Sequence, residues 1–97
     1  MKLINVKPTP KGDKNKFVAL FETDDGKIKR IGFGVKGSFS YVDGADVKVR
    51  DNYRARHSRD ITSNDPTTRG NLSYWITWGD SPSLSQNIAD YRRKFGV

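Results

Sequence analysis

Residues 70–79 read Gly70-Asn71-Leu72-Ser73-Tyr74-Trp75-Ile76-Thr77-Trp78-Gly79, and this stretch holds both tryptophans of the chain between two glycines. In helical geometry Leu72, Trp75 and Ile76 fall on one face, which is therefore apolar and wide. Asn71 is suited to cap the start of such a helix, and the closing glycine is suited to end it. The stretch predicts a short helix of two turns whose apolar face must be covered by the rest of the chain.

A longer helix is predicted after this stretch. Ser81-Pro82-Ser83 breaks the chain, and Ser83 with Gln86 fits a capping box. Apolar residues then recur at helical spacing: Leu84, Ile88, Tyr91 and Phe95. Gly96 ends the pattern. We expect this helix and the tryptophan helix to pack their apolar faces against a sheet.

The sheet is predicted from the residues before the tryptophan stretch. Lys2–Lys7 reads as a first strand, Lys16–Thr23 alternates between apolar and polar residues, and Lys27–Gly34 returns after the turn dipeptide Asp25-Gly26. In the returning strand Ile28 lies an odd number of residues before Ile31 and Phe33, so in a regular strand it would face the opposite side of the sheet. This mismatch predicts a bulge near Lys29-Arg30.

A glycine-rich segment follows the third strand, where Gly32-Phe33-Gly34-Val35-Lys36-Gly37 spells G-x-G-x-x-G. A dinucleotide fingerprint of this form opens a helix, whereas the next residues, Ser38–Val42, look extended. A kinase glycine loop lies between strands, but the chain lacks the kinase catalytic motifs and is too short. The pattern therefore predicts a turn whose glycines supply positive φ, and it leaves open a phosphate contact by amides beside Lys36.

An arginine-rich helix is predicted from about Asp46 to Ser58. Apolar and ring side chains recur every four residues from Val49 to His57, without glycine or proline, although the alternation at residues 46–50 also fits a strand. On such a helix Arg50 and Arg54 stack one turn apart. We expect them to face outward with the other cations of this segment, which is the densest positive run in the chain.

Together these elements predict one α+β domain over residues 1–97: a small antiparallel sheet of about three strands followed by about three helices. Residues 1–42 form the β-rich part and residues 43–97 the helical part. A length of 97 residues excludes a multidomain enzyme, and the absence of cysteine excludes disulfides and cysteine-ligated zinc. No apolar run has the length of a signal peptide or a membrane span, so we expect a protein that is neither secreted nor embedded in a membrane.

The formal net charge of +7 predicts an anionic partner. Most arginines lie in the second half of the chain, and arginine holds phosphate with a planar, two-pronged fork. No sequence-reading motif is present, so we expect nucleic acid, DNA or RNA, to be bound without sequence specificity. The predicted contact residues are Lys48, Arg50, Arg54, Arg56, His57, Arg59, Arg69, Arg92 and Arg93. Aromatic residues that could stack on bases are Tyr41, Tyr53, Tyr74 and Trp78.

Other functions are less well supported by the residues. His57 has no motif partner for acid–base catalysis apart from the nearby Asp60, and one histidine without cysteine cannot form a histidine-cluster metal site. We therefore expect no enzymatic activity, no metal and no cofactor. The enzyme alternative that remains is a nuclease that uses carboxylates from scattered positions and Mg²⁺. A second alternative stays open, in which the arginines grip an acidic protein and the chain is a virion-structural or protein-interaction module. The C-terminal cations also suit the dipole of their own helix without any ligand.

The chain resembles a known family through residues spread over positions 27–97. They are the run Ile31–Gly37, the run Tyr53–His57, then Gly70, Leu72-Ser73, Trp75-Ile76 and Trp78-Gly79, and finally Leu84, Ile88, Tyr91 and Phe95. This pattern is similar to a small, functionally uncharacterised domain family encoded by large double-stranded DNA viruses of algae and amoebae. The resemblance implies a viral protein that acts inside an infected host cell, in cytoplasm or nucleus, or that is packaged in a virion. It implies no particular activity.

Overall fold

The computed structural model describes residues 1–97, and three antiparallel strands form its sheet in the order β1-β2-β3. Strand β1 spans Lys2–Pro8, β2 spans Asn15–Glu22 and β3 spans Ile28–Val35. The Asp25-Gly26 turn closes the second hairpin, with Gly26 at a φ of 83° and its amide donating to the Thr23 carbonyl over 2.9 Å. The predicted strands and the hairpin are confirmed.

The predicted bulge in β3 is wrong. Strands β2 and β3 keep one register from Glu22 opposite Ile28 to Asn15 opposite Val35. Ile28 is 51% exposed, so it does not need to face the core and no bulge is required to bring it there.

A bulge lies instead in β1, where the register against β2 shifts between Leu3 and Asn5. In a regular strand, residues three apart face opposite sides of the sheet. The extra residue allows both Leu3 and Val6 to be buried in the same core.

Three helices follow the sheet, and the fold is α+β as predicted. Helix α1 spans Val47–Arg56, α2 spans Arg69–Leu72 and α3 spans Leu84–Phe95. Helix α2 continues directly into a π-helical segment, Ser73–Thr77, at whose end the Trp78 amide donates to the Ser73 carbonyl over 3.0 Å. None of the helices is both long enough and apolar enough to cross a lipid bilayer.

The core lies between the inner face of the sheet and these helices. Leu72, Ile76 and Tyr91 cover the sheet from the helical side, and each is at most 1% exposed. The sheet contributes the other six buried apolar residues of the cluster: Leu3, Val6, Phe17, Ala19, Phe21 and Phe33. The predicted role of the tryptophan stretch as a core element is confirmed, because its Leu72 and Ile76 are fully buried.

The start of the tryptophan helix differs from the prediction. Thr68, not Asn71, caps it, since the Thr68 side chain accepts a hydrogen bond from the Asn71 amide over 3.2 Å. The Asn71 side chain is buried and donates to the carbonyl oxygens of Ser63 and Asp65, each over 2.9 Å. A polar residue is tolerated inside the core because both of its amide protons are bonded.

Helix α3 begins as predicted, with the Ser83 hydroxyl accepting from the Gln86 amide over 3.3 Å. The reciprocal half of the capping box is absent, because the Ser83 amide donates to the Ser81 hydroxyl over 3.0 Å, while the Gln86 side chain donates to Asp90. The predicted end is also confirmed, with Gly96 in the left-handed conformation. The last residue then covers the edge of the sheet, since the Leu3 amide donates to the Val97 carbonyl over 3.0 Å.

The glycine-rich segment is partly strand and partly turn. Gly34 and Gly37 have φ values of 76° and 85°, which confirms the predicted positive φ at these two positions, while Gly32 and Gly34 lie inside β3. The amide of Lys36 is not free for a phosphate, because it donates to the Lys14 carbonyl over 3.0 Å. The expected extended conformation up to residue 42 is wrong, since a 3₁₀ turn forms at Tyr41–Asp43. The Asp43 carboxylate stabilises this turn by accepting hydrogen bonds from the amide and the hydroxyl of Ser40.

Candidate nucleic-acid interface

Helix α1 carries four of the nine predicted contact residues, and no residue of this helix is buried. Asp46 caps it, accepting from the Lys48 amide over 2.8 Å, and His57 follows its last turn. The predicted helix is therefore confirmed. Its apolar residues Val47 and Val49 are 49% and 45% exposed, so these two side chains do little to hold the helix to the protein.

Arg54 provides one attachment. Its Nε donates to the Trp78 carbonyl oxygen over 2.8 Å, and its Nη2 lies 2.9 Å from a carboxylate oxygen of Asp80. The guanidinium also lies over the rings of Tyr74 and Trp75, at 5.2 and 5.5 Å from their centroids. The Arg54 side chain is only 17% exposed, so its contacts are within the protein.

Arg50 provides a second attachment, one turn earlier. Its Nη1 donates to the Asp80 carbonyl oxygen over 3.2 Å, and its Nη2 pairs with Asp51 over 2.9 Å. The guanidinium lies over the Tyr41 ring, 4.8 Å from its centroid. The structure thus turns Arg50 and Arg54 inward, away from the outward-facing position predicted for them.

The C-terminal arginines are also engaged. Arg92 donates to the carbonyl oxygens of Leu3 and Ile4, each over 3.0 Å, and so bonds the edge of β1. Arg93 pairs with Asp90 one turn earlier on α3. Arg93 also lines a separate cavity of about 370 Å³ that contains the carboxylates of Asp80 and Asp90. The nine predicted residues therefore do not form one continuous cationic surface.

Three of the predicted contact residues do come together. Arg56, His57 and Arg69 line one pocket of about 380 Å³ bounded by β3, the end of α1 and the tryptophan segment. Arg56 and Arg69 are exposed and take part in none of the ion pairs of the molecule. No aspartate or glutamate lines this pocket. Apart from His57, the two arginines are therefore the only ionisable basic groups that line it.

The pocket also contains polar groups that sequence reasoning missed. Asn15, Ser38 and Ser73 line it beside the cations. They come from β2, from the turn after β3 and from the π-helical segment, and no sequence spacing links such distant positions. Lys48 and Arg59 are exposed and unpaired but do not line the pocket.

An aromatic stack forms one side of the pocket. The Tyr53 ring lies 4.1 Å from the His57 ring and 4.4 Å from the Trp78 ring, with interplanar angles of 23° and 11°. Both faces of Tyr53 are thus covered within the protein. Of the predicted stacking residues, Tyr53 and Trp78 line the pocket, and Trp78 lies at the end of the stack.

The two other candidate rings are also occupied. Tyr74 packs edge-on against Trp75, with centroids 4.7 Å apart, and lies under Arg54. Tyr41 lies under Arg50.

His57 is held in place from its other side as well. Its Nδ1 lies 2.7 Å from an Asp60 carboxylate oxygen, which fixes the ring orientation and leaves Nε2 as the nitrogen without a protein partner. Burial raises the pKa of the Tyr53 hydroxyl, and the negative charge of Asp60 acts in the same direction. The phenol therefore stays neutral in the physiological range and remains a hydrogen-bond donor.

Comparison with known proteins gives the following relationships. Residues 4–57 match the family of unknown function DUF5754. The match includes most of the first strand, which lies outside the resemblance at residues 27–97, and it excludes the tryptophan segment. The chain is 38% identical over 66 residues to the Uncharacterized protein L851 of Acanthamoeba polyphaga mimivirus. That alignment covers 62% of this chain and 66% of the relative, so the chain spans just under two thirds of the relative's length. No solved structure matches the chain significantly. Because the match at residues 4–57 covers more than half of the sequence, the chain belongs to this family of unknown function.

Proposed function

We propose that this protein binds nucleic acid, DNA or RNA, without sequence specificity, and that the pocket formed by Arg56, His57 and Arg69 is the centre of the contact. The observation that carries the proposal is the lining of this pocket, which contains two unpaired arginines and a histidine and includes no aspartate or glutamate. A guanidinium forms two parallel hydrogen bonds to a phosphate, and unpaired arginines lose no internal contact when they do so.

The rest of the surface supports the same partner. Lys48 precedes Arg56 and His57 in the sequence, and Arg59 follows them. Both side chains are exposed and unpaired, and they add further positive charge. The whole chain carries a formal net charge of +7, which raises the local concentration of polyanions.

The setting of this function is proposed from the resemblance and from the mimivirus relative. We place the protein among the products of large double-stranded DNA viruses of algae and amoebae, acting in the infected cell or in the virion. Binding without catalysis is the proposed activity, and it needs neither a metal nor a cofactor.

A second candidate function is a protein-interaction or virion-structural module with an acidic partner. One specific observation favours it: Val35 and Phe39 are 70% and 64% exposed around the turn that contains Lys36. Apolar side chains next to a cation suit an acidic protein surface better than a phosphate backbone.

The test is a fluorescence-anisotropy titration with labelled single-stranded and duplex DNA and RNA at several salt concentrations. The proposal expects binding at low salt with little dependence on base sequence, and an affinity that falls linearly with salt on logarithmic axes. Absence of binding to all four nucleic acids at low salt would reject it and would favour the acidic protein partner.

A further inference from the structure

The pocket has the size of a small-molecule site rather than of a groove for a duplex. Its volume is about 380 Å³, and ligand sites in proteins start at roughly 300 Å³. A DNA duplex is a stiff rod whose major groove alone is about 12 Å wide, so a duplex can lie across the mouth of the pocket but cannot enter it. Only a single nucleotide or the flexible end of a strand can reach its interior.

The charges of the pocket suit a phosphate monoester. A monoester carries a charge of roughly −1.5 to −2 at neutral pH, whereas each phosphodiester within a strand carries −1. Two guanidinium groups and the imidazole of His57 line this volume. No carboxylate lines it, since Asp60, which contacts Nδ1 of His57 over 2.7 Å, is not among the lining residues. The extra negative charge of a monoester therefore gains most from this site.

The polar neighbours suit the same group. The Ser73 hydroxyl and the side chain of Asn15 line the pocket beside the arginines, whereas the Ser38 hydroxyl, which also lines it, already donates to the Val35 carbonyl over 2.7 Å. A phosphate monoester offers three acceptor oxygens, and hydroxyl, amide and guanidinium groups all donate to them. Trp78 lines the pocket as well and provides an apolar aromatic surface for a base or sugar.

We infer that the pocket is a binding site for the phosphate monoester of a nucleotide, held by Arg56 and Arg69 with help from His57 and Ser73. The ligand is either a free nucleoside monophosphate or the terminal phosphate of a single strand, since both present the same group. This inference rests on the proposed function and names the part of the nucleic acid that enters the pocket.

The first experiment measures binding of adenosine 5′-monophosphate and of adenosine by calorimetry, together with amide and arginine side-chain NMR shifts. We expect the monophosphate to bind at least about tenfold more tightly than adenosine and to shift the Arg56 and Arg69 resonances. Arg56→Ala and Arg69→Ala should each weaken the monophosphate by about tenfold or more. Arg30→Ala removes the same charge from an exposed position on β3 outside the pocket, and it should change the affinity for the monophosphate by less than about twofold.

Equal affinity for adenosine and its monophosphate, or an equal effect of the Arg30→Ala control on monophosphate binding, would overturn the inference. Arg56 and Arg69 are exposed and without ion pairs, so their variants should fold, and a wild-type-like amide spectrum checks this directly.

The second experiment identifies the source of the phosphate with three single-stranded oligonucleotides that carry a 5′-phosphate, a 3′-phosphate or hydroxyls at both ends. Tighter binding of a phosphorylated strand, by about fivefold or more, assigns the site to a strand end. Monophosphate binding without such a difference assigns it to a free nucleotide. Strands that all bind equally while the monophosphate does not bind would overturn the inference and leave the proposed function standing, whereas failure of every strand to bind would reject the proposed function itself.

Discussion

Nε of Arg54 donates a hydrogen bond to the carbonyl oxygen of Trp78 over 2.8 Å, and this contact ties α1 to the end of the tryptophan segment. No residue of α1 is fully buried, so the position of the helix depends on such polar attachments together with the stacking of Tyr53 on Trp78. The same guanidinium lies over Tyr74 and Trp75, which adds cation–π attraction in a partly desolvated place.

Arg54→Ala should therefore lower the free energy of unfolding by about 2 kcal/mol, because it leaves a backbone carbonyl without its charged donor. The ion pair with Asp80 adds little to this figure, since Asp80 is 73% exposed and solvent screens the attraction. Urea denaturation followed by circular dichroism measures the change.

Arg59→Ala is the matched control, because Arg59 is exposed and unpaired, and it should leave the unfolding free energy within about 0.5 kcal/mol of the wild-type value. Equal losses in the two variants would show that the Arg54 contact does not hold the helix.

The second prediction concerns Asn87, which is buried and joins α3 to the segment before it. Its side chain donates to the carbonyl oxygens of Ile76 and Ser81 over 2.9 and 2.7 Å and accepts from the Ser81 amide over 3.0 Å. Asn87→Ala should cost about 3 kcal/mol of unfolding free energy, since three backbone groups lose their partner.

Thermal and urea unfolding measure this cost, with Asn52→Ala at an exposed position of α1 as the control that should change stability little. A loss for Asn87→Ala no larger than for the control would contradict the proposed attachment of α3.

The third prediction is a loss of stability at alkaline pH caused by Tyr91. Burial raises the pKa of its hydroxyl well above the ordinary value of about 10, and Asp65 acts in the same direction. Above pH 10 the unfolded chain loses this proton while the folded chain keeps it, so the free energy of unfolding falls as pH rises. Below pH 10 Tyr91 is neutral in both states, and its full contribution is present.

Tyr91→Phe removes this titration together with the hydrogen bond to the Pro66 carbonyl, which is 2.7 Å long in the wild type. The variant should be less stable at pH 7 by about 1 kcal/mol but should lose less stability between pH 9 and pH 11. Melting temperatures across this range provide the measurement, and identical pH slopes for the two proteins would exclude Tyr91 as the cause.

The elements with strong local patterns were predictable from the sequence. The alternation in β2, the Asp25-Gly26 turn and the spacing from Leu84 to Phe95 each define a strand, a hairpin or a helix without reference to the rest of the chain. The sequence pattern predicts the bulge in the wrong strand because it treats Ile28 as a core residue. The bulge is required in β1, where Leu3 and Val6 are three residues apart and both are buried in the same core.

The orientation of the arginines was not predictable in the same way. A guanidinium that binds a phosphate and one that binds a backbone carbonyl have the same sequence signal, and only the positions of the Trp78 and Asp80 carbonyl oxygens separate the two cases for Arg54 and Arg50. The pocket is likewise a product of the fold, since it joins Asn15, Arg56 and Arg69 from three distant parts of the chain.

The salt dependence of nucleic-acid binding by Arg56→Ala/Arg69→Ala tests the central claim most directly. Each phosphate contact that is lost should reduce the slope of log affinity against log salt by about 1, so the double variant should show a slope smaller by about 2 than the wild type, and Arg30→Ala should show the wild-type slope. Arg54→Ala should lower the free energy of unfolding but leave the slope of log affinity against log salt unchanged, when the titration is made under conditions in which the variant is folded. A double variant that keeps the wild-type slope would show that the pocket is not where this protein contacts nucleic acid.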